Sequence, residues 1–135
     1  KTMKKVKEKL ELVGLEGRED QDPSTLSGGQ QKRAAIARAL VQEADCMLFD
    51  EPTSGLDPPI SKTVDDIIEE VNEKTNATMI LVAHDLISSF RVGHRLHPLQ
   101  DGKFVASGTP EEFRNSDQQE VKDFLARGLQ GLERS

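Results

Sequence analysis

Two adjacent carboxylates closing an apolar run, and a Ser-Gly-Gly-Gln segment upstream of them, are the residues of this chain best equipped for chemistry. In Met47-Leu48-Phe49-Asp50-Glu51 the short apolar stretch reads as a strand buried on both faces, whose C-terminal end opens into the ligand crevice of a parallel sheet. An aspartate there suits the holding of Mg²⁺ and its waters, and the glutamate beside it can orient and deprotonate an attacking water. Leu26-Ser27-Gly28-Gly29-Gln30 suits an anion. Gly28 and Gly29 have no Cβ to hold a phosphate away from the N–H groups that open the next helix, where the helix dipole places partial positive charge. Ser27 and Gln30 stand at capping-box spacing, so the serine hydroxyl either satisfies a helix N–H or turns outward to a ligand. Together these residue types point to hydrolysis of a nucleoside triphosphate.

The elements that must position them read as an α/β arrangement. Met3, Val6, Leu10 and Val13 step by three and four, which predicts an amphipathic helix ended by Gly14. A polar turn from Gly17 to Thr25 leads to an alanine-rich helix from Gln30 to Val41, with Lys32, Arg33 and Arg38 on its other side, where Lys32 and Arg33 are expected as solvated charges rather than ligands. The strand Cys46 to Phe49 follows. Pro58 and Pro59 set the start of a helix after the Asp57 turn, and Ile60, Val64, Ile67, Ile68 and Val71 give it one apolar stripe to pack on a sheet. Thr78 to Ala83 is a second strand, parallel to the first through a right-handed crossover, which brings His84 beside Asp50. A helix from Asp85 to about Arg91 precedes two strands, Arg95 to Gln100 and Lys103 to Ser107, joined at an Asp101-Gly102 hairpin turn. Thr109-Pro110-Glu111-Glu112 is a capping box, Ser116 to Gln119 repeats its spacing, and the tail is expected to be two short helices.

At this point the motifs carry a resemblance. Leu26 to Gln30 is similar to the ABC signature motif, and Met47 to Glu51 to a Walker B strand with its glutamate. Ser54-Gly55-Leu56-Asp57 resembles the D-loop, and Leu81-Val82-Ala83-His84-Asp85 the H-loop with its switch histidine. Four motifs in the family's order mark the chain as resembling an ABC transporter ATP-binding domain. The fold so implied is part of a P-loop NTPase (RecA-like) parallel sheet flanked by helices, with part of the ABC helical subdomain. The expected partition is a helical subdomain and signature helix over about 1–43, a Walker B to H-loop core with the following strands over about 44–108, and a helical tail over 109–135. The resemblance implies ATP and Mg²⁺ as cofactors. It implies Glu51 and His84 as catalytic residues, Ser27, Gly28, Gly29, Gln30 and Asp57 as nucleotide contacts, and Asp50 as the metal ligand. Ser27, Gly28 and Gly29 would face the nucleotide of a second ABC ATPase subunit in a head-to-tail dimer, and an integral membrane permease would be the further partner, at the cytoplasmic face of the membrane. The tail, Gly108 to Phe113 and on to Leu125, resembles the Mla/Mce-type ATPases of lipid transport.

Two family elements are missing from these residues, the phosphate loop and the Gln-containing loop that the family places between it and the helical subdomain. No G-x-x-x-x-G-K-[ST] phosphate loop occurs in the chain. The Gly102-Lys103 pair is followed by Phe104 and has His97 where the first glycine belongs. With Lys1 in place of an initiator methionine, the chain is expected to be the C-terminal part of a longer polypeptide, inactive as an ATPase alone. Two rival classes share these motifs: a soluble ABC ATPase of DNA repair or translation, and a non-catalytic half that binds a complete ATPase.

Composition sets the remaining bounds. The 135 residues are 35% hydrophobic, and no apolar run reaches the roughly 20 residues needed to span a bilayer. A net charge of −6 with 4% aromatics speaks against a nucleic-acid partner. The lone Cys46 is expected as buried core filler in its strand and points to a reducing compartment. His94 and His97 stand three apart, a spacing that aligns ligands only on a helix, and Pro98 argues against a helix here. No metal site is expected from them.

Overall fold

The structure, a computed structural model, describes residues 2–132. They form two compact units that part between Val82 and Ala83, at the end of the second strand.

In the first unit, helix α1 (Thr2–Leu12) stops where the motif spacing predicts, because Gly14 takes a left-handed φ of +69° and its N–H turns back to the Glu11 carbonyl at 2.9 Å. Helix α2 (Gly28–Leu40) packs against it. Arg33, expected as a solvated charge, is half-buried instead. Its Nη1 donates to the carbonyls of Val13 and Gly14 at 3.3 Å each, supplying partners that the end of α1 cannot find in its own helix. Strands β1 (Cys46–Asp50) and β2 (Thr78–Val82) pair in parallel, from Cys46 opposite Thr78 to Asp50 opposite Val82. Helix α3 (Pro58–Thr75) joins them and ends at Asn76, whose φ of +53° is the left-handed stop favoured by Gly and Asn. The core gathers Val13 and Leu15, Ile36, Ala37 and Leu40 of α2, Met47 and Phe49 of β1, and Val64, Ile67, Ile68 and Val71 of α3.

Two expectations about β1 are corrected. The strand is not buried on both faces: Met47 and Phe49 point into the core, while Cys46, Leu48 and Asp50 are exposed. Cys46 is therefore not core filler. The reason is the pleat. The described sheet has two strands with helices packed on one face, so alternate residues divide between core and surface. Leu48 is 76% exposed, and Ile80 and Val82 of β2 are 52% and 55% exposed, which leaves an apolar sheet face bare. Within α3, Ile60 sits at the margin of its stripe at 38% exposure, and Asp65 is fully buried at a position the stripe does not announce.

The second unit begins with α4 (Leu86–Val92), capped by Asp85, whose carboxylate accepts from the N–H groups of Ile87 and Ser88 at 3.1 and 3.2 Å. The two expected strands shrink to β3 (Leu99–Gln100) and β4 (Lys103–Phe104) with an isolated pairing of Leu96 and Gly108. Asp101 and Gly102 both have positive φ, +49° and +74°, as a tight hairpin turn requires. Beyond the turn the ladder stops at Pro98, which accepts from the Val105 N–H at 3.0 Å but has no N–H to return. Thr109 and Glu112 form the predicted capping box of α5 (Pro110–Arg114), with reciprocal bonds of 2.7 and 3.2 Å. At Ser116 the hydroxyl accepts from Gln118, two residues on, so the local motif is a serine turn and not a second capping box. Helix α6 (Gln119–Leu132) has 14 residues and is not short. Leu96, Phe113 and Val121 form this unit's core, with Phe90 edge-on to Phe113 at 6.3 Å between ring centroids.

Candidate functional site

The start of α2 is built from its own sequence. The Ser27 hydroxyl accepts from the Gln30 N–H at 3.3 Å and the Gln30 side chain accepts from the Ser27 N–H at 3.0 Å. Of the two orientations open to the serine, the structure shows the inward one. The preceding loop is held by Asp22, which caps the turn Pro23–Thr25, and by Gln31, whose amide donates to the carbonyls of Pro23 and Leu26. Both hydrogen bonds from Ser24, the backbone one first, hold the Asp22 carboxyl below the usual carboxylate range. The capping box consumes the N–H of Gln30, and the first-turn N–H groups of Gly28 and Gly29 have no intrahelical acceptor by the geometry of a helix start. Those two groups are what the segment offers an anion.

The two glycines differ. Gly28 is exposed, and a Cβ there would stand 3.5 Å from the Leu56 side chain, an ordinary contact. Gly29 is buried, and a Cβ there would lie 2.4 Å from Cγ2 of Ile60. Room for a ligand was the expected reason for both glycines; at Gly29 the missing side chain is replaced by a neighbour in α3. Leu56 and Ile60 flank Asp57, so the first turn of α2 rests on the turn that carries this aspartate. Asp57 itself is exposed at the N-cap of α3. Its carbonyl accepts from Ser61 at 2.9 Å, while its carboxylate makes no capping bond.

Asp50 and Glu51 stand at the C-terminal end of β1. Asp50 is exposed opposite Val82. The Glu51 N–H donates to the Val82 carbonyl at 2.8 Å, which carries the ladder one residue past the strand. Immediately there the backbone turns: Glu51 has φ +46° and is half-buried. A left-handed conformation at a non-glycine residue costs energy and is found where surrounding structure over-determines it. The Ser54 N–H closes on the Glu51 carbonyl at 3.1 Å, and Gly55, with φ +76°, completes the turn to Asp57. His84 lies two positions beyond β2, exposed, at the start of the second unit and directly before the capping Asp85.

The structure thus brings Ser27 to Gln30 together with the Asp57 turn, and sets Asp50 and Glu51 side by side, while His84 belongs to the other unit. His97 packs its ring on Phe104 with 5.6 Å between centroids. Sequence reasoning missed two supports, the contact of Ile60 with Gly29 and the Val82 carbonyl. Ile60 was visible as a member of the α3 stripe, but nothing in its spacing says which residue of another helix it meets. Among the described residues no helix is long and apolar enough to cross a membrane.

The family model described as "ABC transporter" matches residues 1–54. The methionine import ATP-binding protein MetN 3 of Shouchella clausii (strain KSM-K16) is 41% identical over 123 residues, 90% of this chain and 36% of that protein. The glycine betaine transport ATP-binding protein OpuAA of Bacillus subtilis (strain 168) is 43% identical over 122 residues, 90% of this chain and 29% of that protein. Among solved structures, the ADP conformation of MJ1267, an ATP-binding cassette of an ABC transporter, superposes with a TM-score of 0.81 at 26% identity, over 93% of this chain and 50% of that one. The cassette MJ0796 in a dimeric post-hydrolysis state bound to ADP and Pi gives 0.66 at 34% identity, over 79% and 46%. The chain spans about a third of the length of these curated relatives and about half of the solved cassettes.

Proposed function

We propose, on the premise that the chain belongs to the ATP-binding domains of ABC transporters, that it carries the signature, Walker B, D-loop and H-loop parts of a subunit that hydrolyses ATP to drive transport. The observation that carries this reading is the end of β1, where an exposed Asp50 is followed by a Glu51 whose backbone is forced left-handed while bonded to Val82. A glutamate whose main chain is held on both sides at a strand end carries its carboxylate from a fixed point beside Asp50, as a base for this chemistry needs.

Glu51 orients and deprotonates the water that attacks the γ-phosphate, and His84 contacts that phosphate and the water. Mg²⁺ would be held by Asp50. One carboxylate suits an ion that keeps several waters and takes its other ligands from substrate phosphates, and bound there it would neutralise charge developing on them. The N–H groups of Gly28 and Gly29, with the Ser27 and Gln30 side chains that shape the helix start, face the nucleotide of a second subunit arranged head to tail, and Asp57 makes a contact across that interface. ATP is then the adhesive between subunits, and its hydrolysis lets them part. The phosphate loop that completes each site comes from outside these 135 residues, so the chain alone does not turn over ATP. The relatives named above are transport proteins, which favours an integral membrane permease as partner, with docking at the cytoplasmic face, over a role in DNA repair or translation. The Mla/Mce likeness rests on the tail sequence alone, and import of methionine or glycine betaine is a property of those relatives.

The test is Glu51→Gln in the full-length ATPase. Turnover should fall by about 10²-fold or more, since general-base catalysis contributes at least that much, while ATP binding and ATP-dependent pairing of subunits persist. Turnover equal to wild type would remove Glu51 from the mechanism.

A further inference from the structure

We propose that Ile60 is a positioning residue that sets the stance of the Ser27 to Gln30 segment against the Asp57 turn, by filling the space where Gly29 has no side chain. This rests on the reading of Ser27 to Gln30 as the segment that meets a partner's nucleotide. The geometry is a peg in a hole. Ile60 stands in the first turn of α3, three residues after Asp57, and its Cγ2 occupies a point 2.4 Å from where a Gly29 Cβ would be. Real Cβ atoms are not found that close to another heavy atom, so a side chain at Gly29 forces a shift, of α2 against α3 or of the Ile60 side chain between them. One position earlier, Gly28 faces Leu56 at ordinary contact distance, so the close fit is confined to the Gly29 and Ile60 pair.

The two helix starts in contact are the two ends that reach across the subunit interface in the proposed function. Their relative placement is therefore a catalytic variable, although Ile60 touches no nucleotide. A misplacement of about 1 Å in such a constellation can cost about 10²-fold in rate. The γ-branch does the work. Valine keeps a methyl at the Cγ2 position, and alanine removes it. Ile60→Val should therefore retain activity, and the fault of Gly29→Ala should be corrected by Ile60→Ala but not by Ile60→Val.

The experiment is a double-mutant cycle in the full-length ATPase with two readouts, steady-state turnover and urea denaturation. Gly29→Ala should lower kcat by one to two orders of magnitude, by the same misplacement estimate, with KM for ATP nearly unchanged, because the subunit's own nucleotide is bound elsewhere. It should also lower stability. That sign is diagnostic, since alanine is otherwise the better helix former and an uncrowded site would be stabilised. Gly29→Ala with Ile60→Ala should recover most of the lost kcat and show strongly non-additive stability. If the double variant stays as inactive as Gly29→Ala although its stability is restored, the glycine is needed for nucleotide approach and the positioning role is wrong. Additive stabilities would show that the two residues do not crowd each other, which also overturns it. Failure of the functional premise is separate: it appears as wild-type protein without ATPase activity, while the denaturation arm still reads the contact.

Discussion

At Glu51 the main chain leaves the sheet in one step, with its N–H still in the ladder and its φ already left-handed. The identity and spacing of such residues were legible in the sequence, and so was the reciprocal pair Ser27 and Gln30, because a capping box involves neighbours only three positions apart. What could not be read were contacts between residues distant in sequence. Arg33 has the composition of a surface charge, yet its acceptors Val13 and Gly14 lie 20 and 19 residues upstream. Arg33→Met keeps much of the apolar stem and removes these bonds. It should cost about 1 kcal/mol in urea denaturation, the usual net worth of an intramolecular hydrogen bond. A change within error would mean that water serves the end of α1 equally well.

At the scale of elements, caps and stripes decided most of the architecture. Helix α3 begins at paired prolines, ends at an Asn with positive φ, and buries four of the five residues that its 3.6-residue period selects, Ile60 staying partly exposed. Ile68→Ala should destabilise the first unit by about 2–5 kcal/mol, since that methylene loss leaves a cavity among α2, α3 and β1. In the second unit, Thr109→Ala removes one half of a capping box and should cost about 0.5–2 kcal/mol, read as earlier loss of helical circular dichroism. Strands were harder. An apolar run does not say how many neighbours the sheet has, so it suggests burial of β1 on both faces, and it also overextends the strands around Asp101-Gly102 because it carries no sign of the N–H that Pro98 lacks.

For the molecule as a whole, two consequences concern solution behaviour. The bare face of Leu48, Ile80 and Val82, on a sheet whose outer edges are unpaired among the described residues, should make the chain self-associate with concentration. Leu48→Ser with Ile80→Thr should lower light scattering without changing the helical content; scattering unaffected by the pair would place the contact elsewhere. The second consequence is a dependence on pH. Hydrogen bonding to Lys7 holds the Glu19 carboxyl low, and Lys5 does the same for Glu43. Lowered folded values mean that the unfolded chain takes up protons first, so this stability is complete above the ordinary carboxylate pKa of about 4 and is lost as pH falls through the folded values. Lys7 is raised by its bond to Glu19, so its share is complete below about 10.4 and is lost as pH rises beyond the folded value. Thermal midpoints measured across pH should fall at both extremes, and Lys7→Met should flatten both limbs.

The exposed Cys46 turns the bare sheet face into an observable. It is the chain's sole thiol, and it opens the strand that Asp50 closes. At about 3.3 Å per residue the two ends are roughly 13 Å apart. A maleimide dye placed there sits outside the proposed nucleotide contacts yet on the same rigid strand. The rate at which it attaches measures how much of the time that face is covered, and its emission offers a clock for whatever covers it.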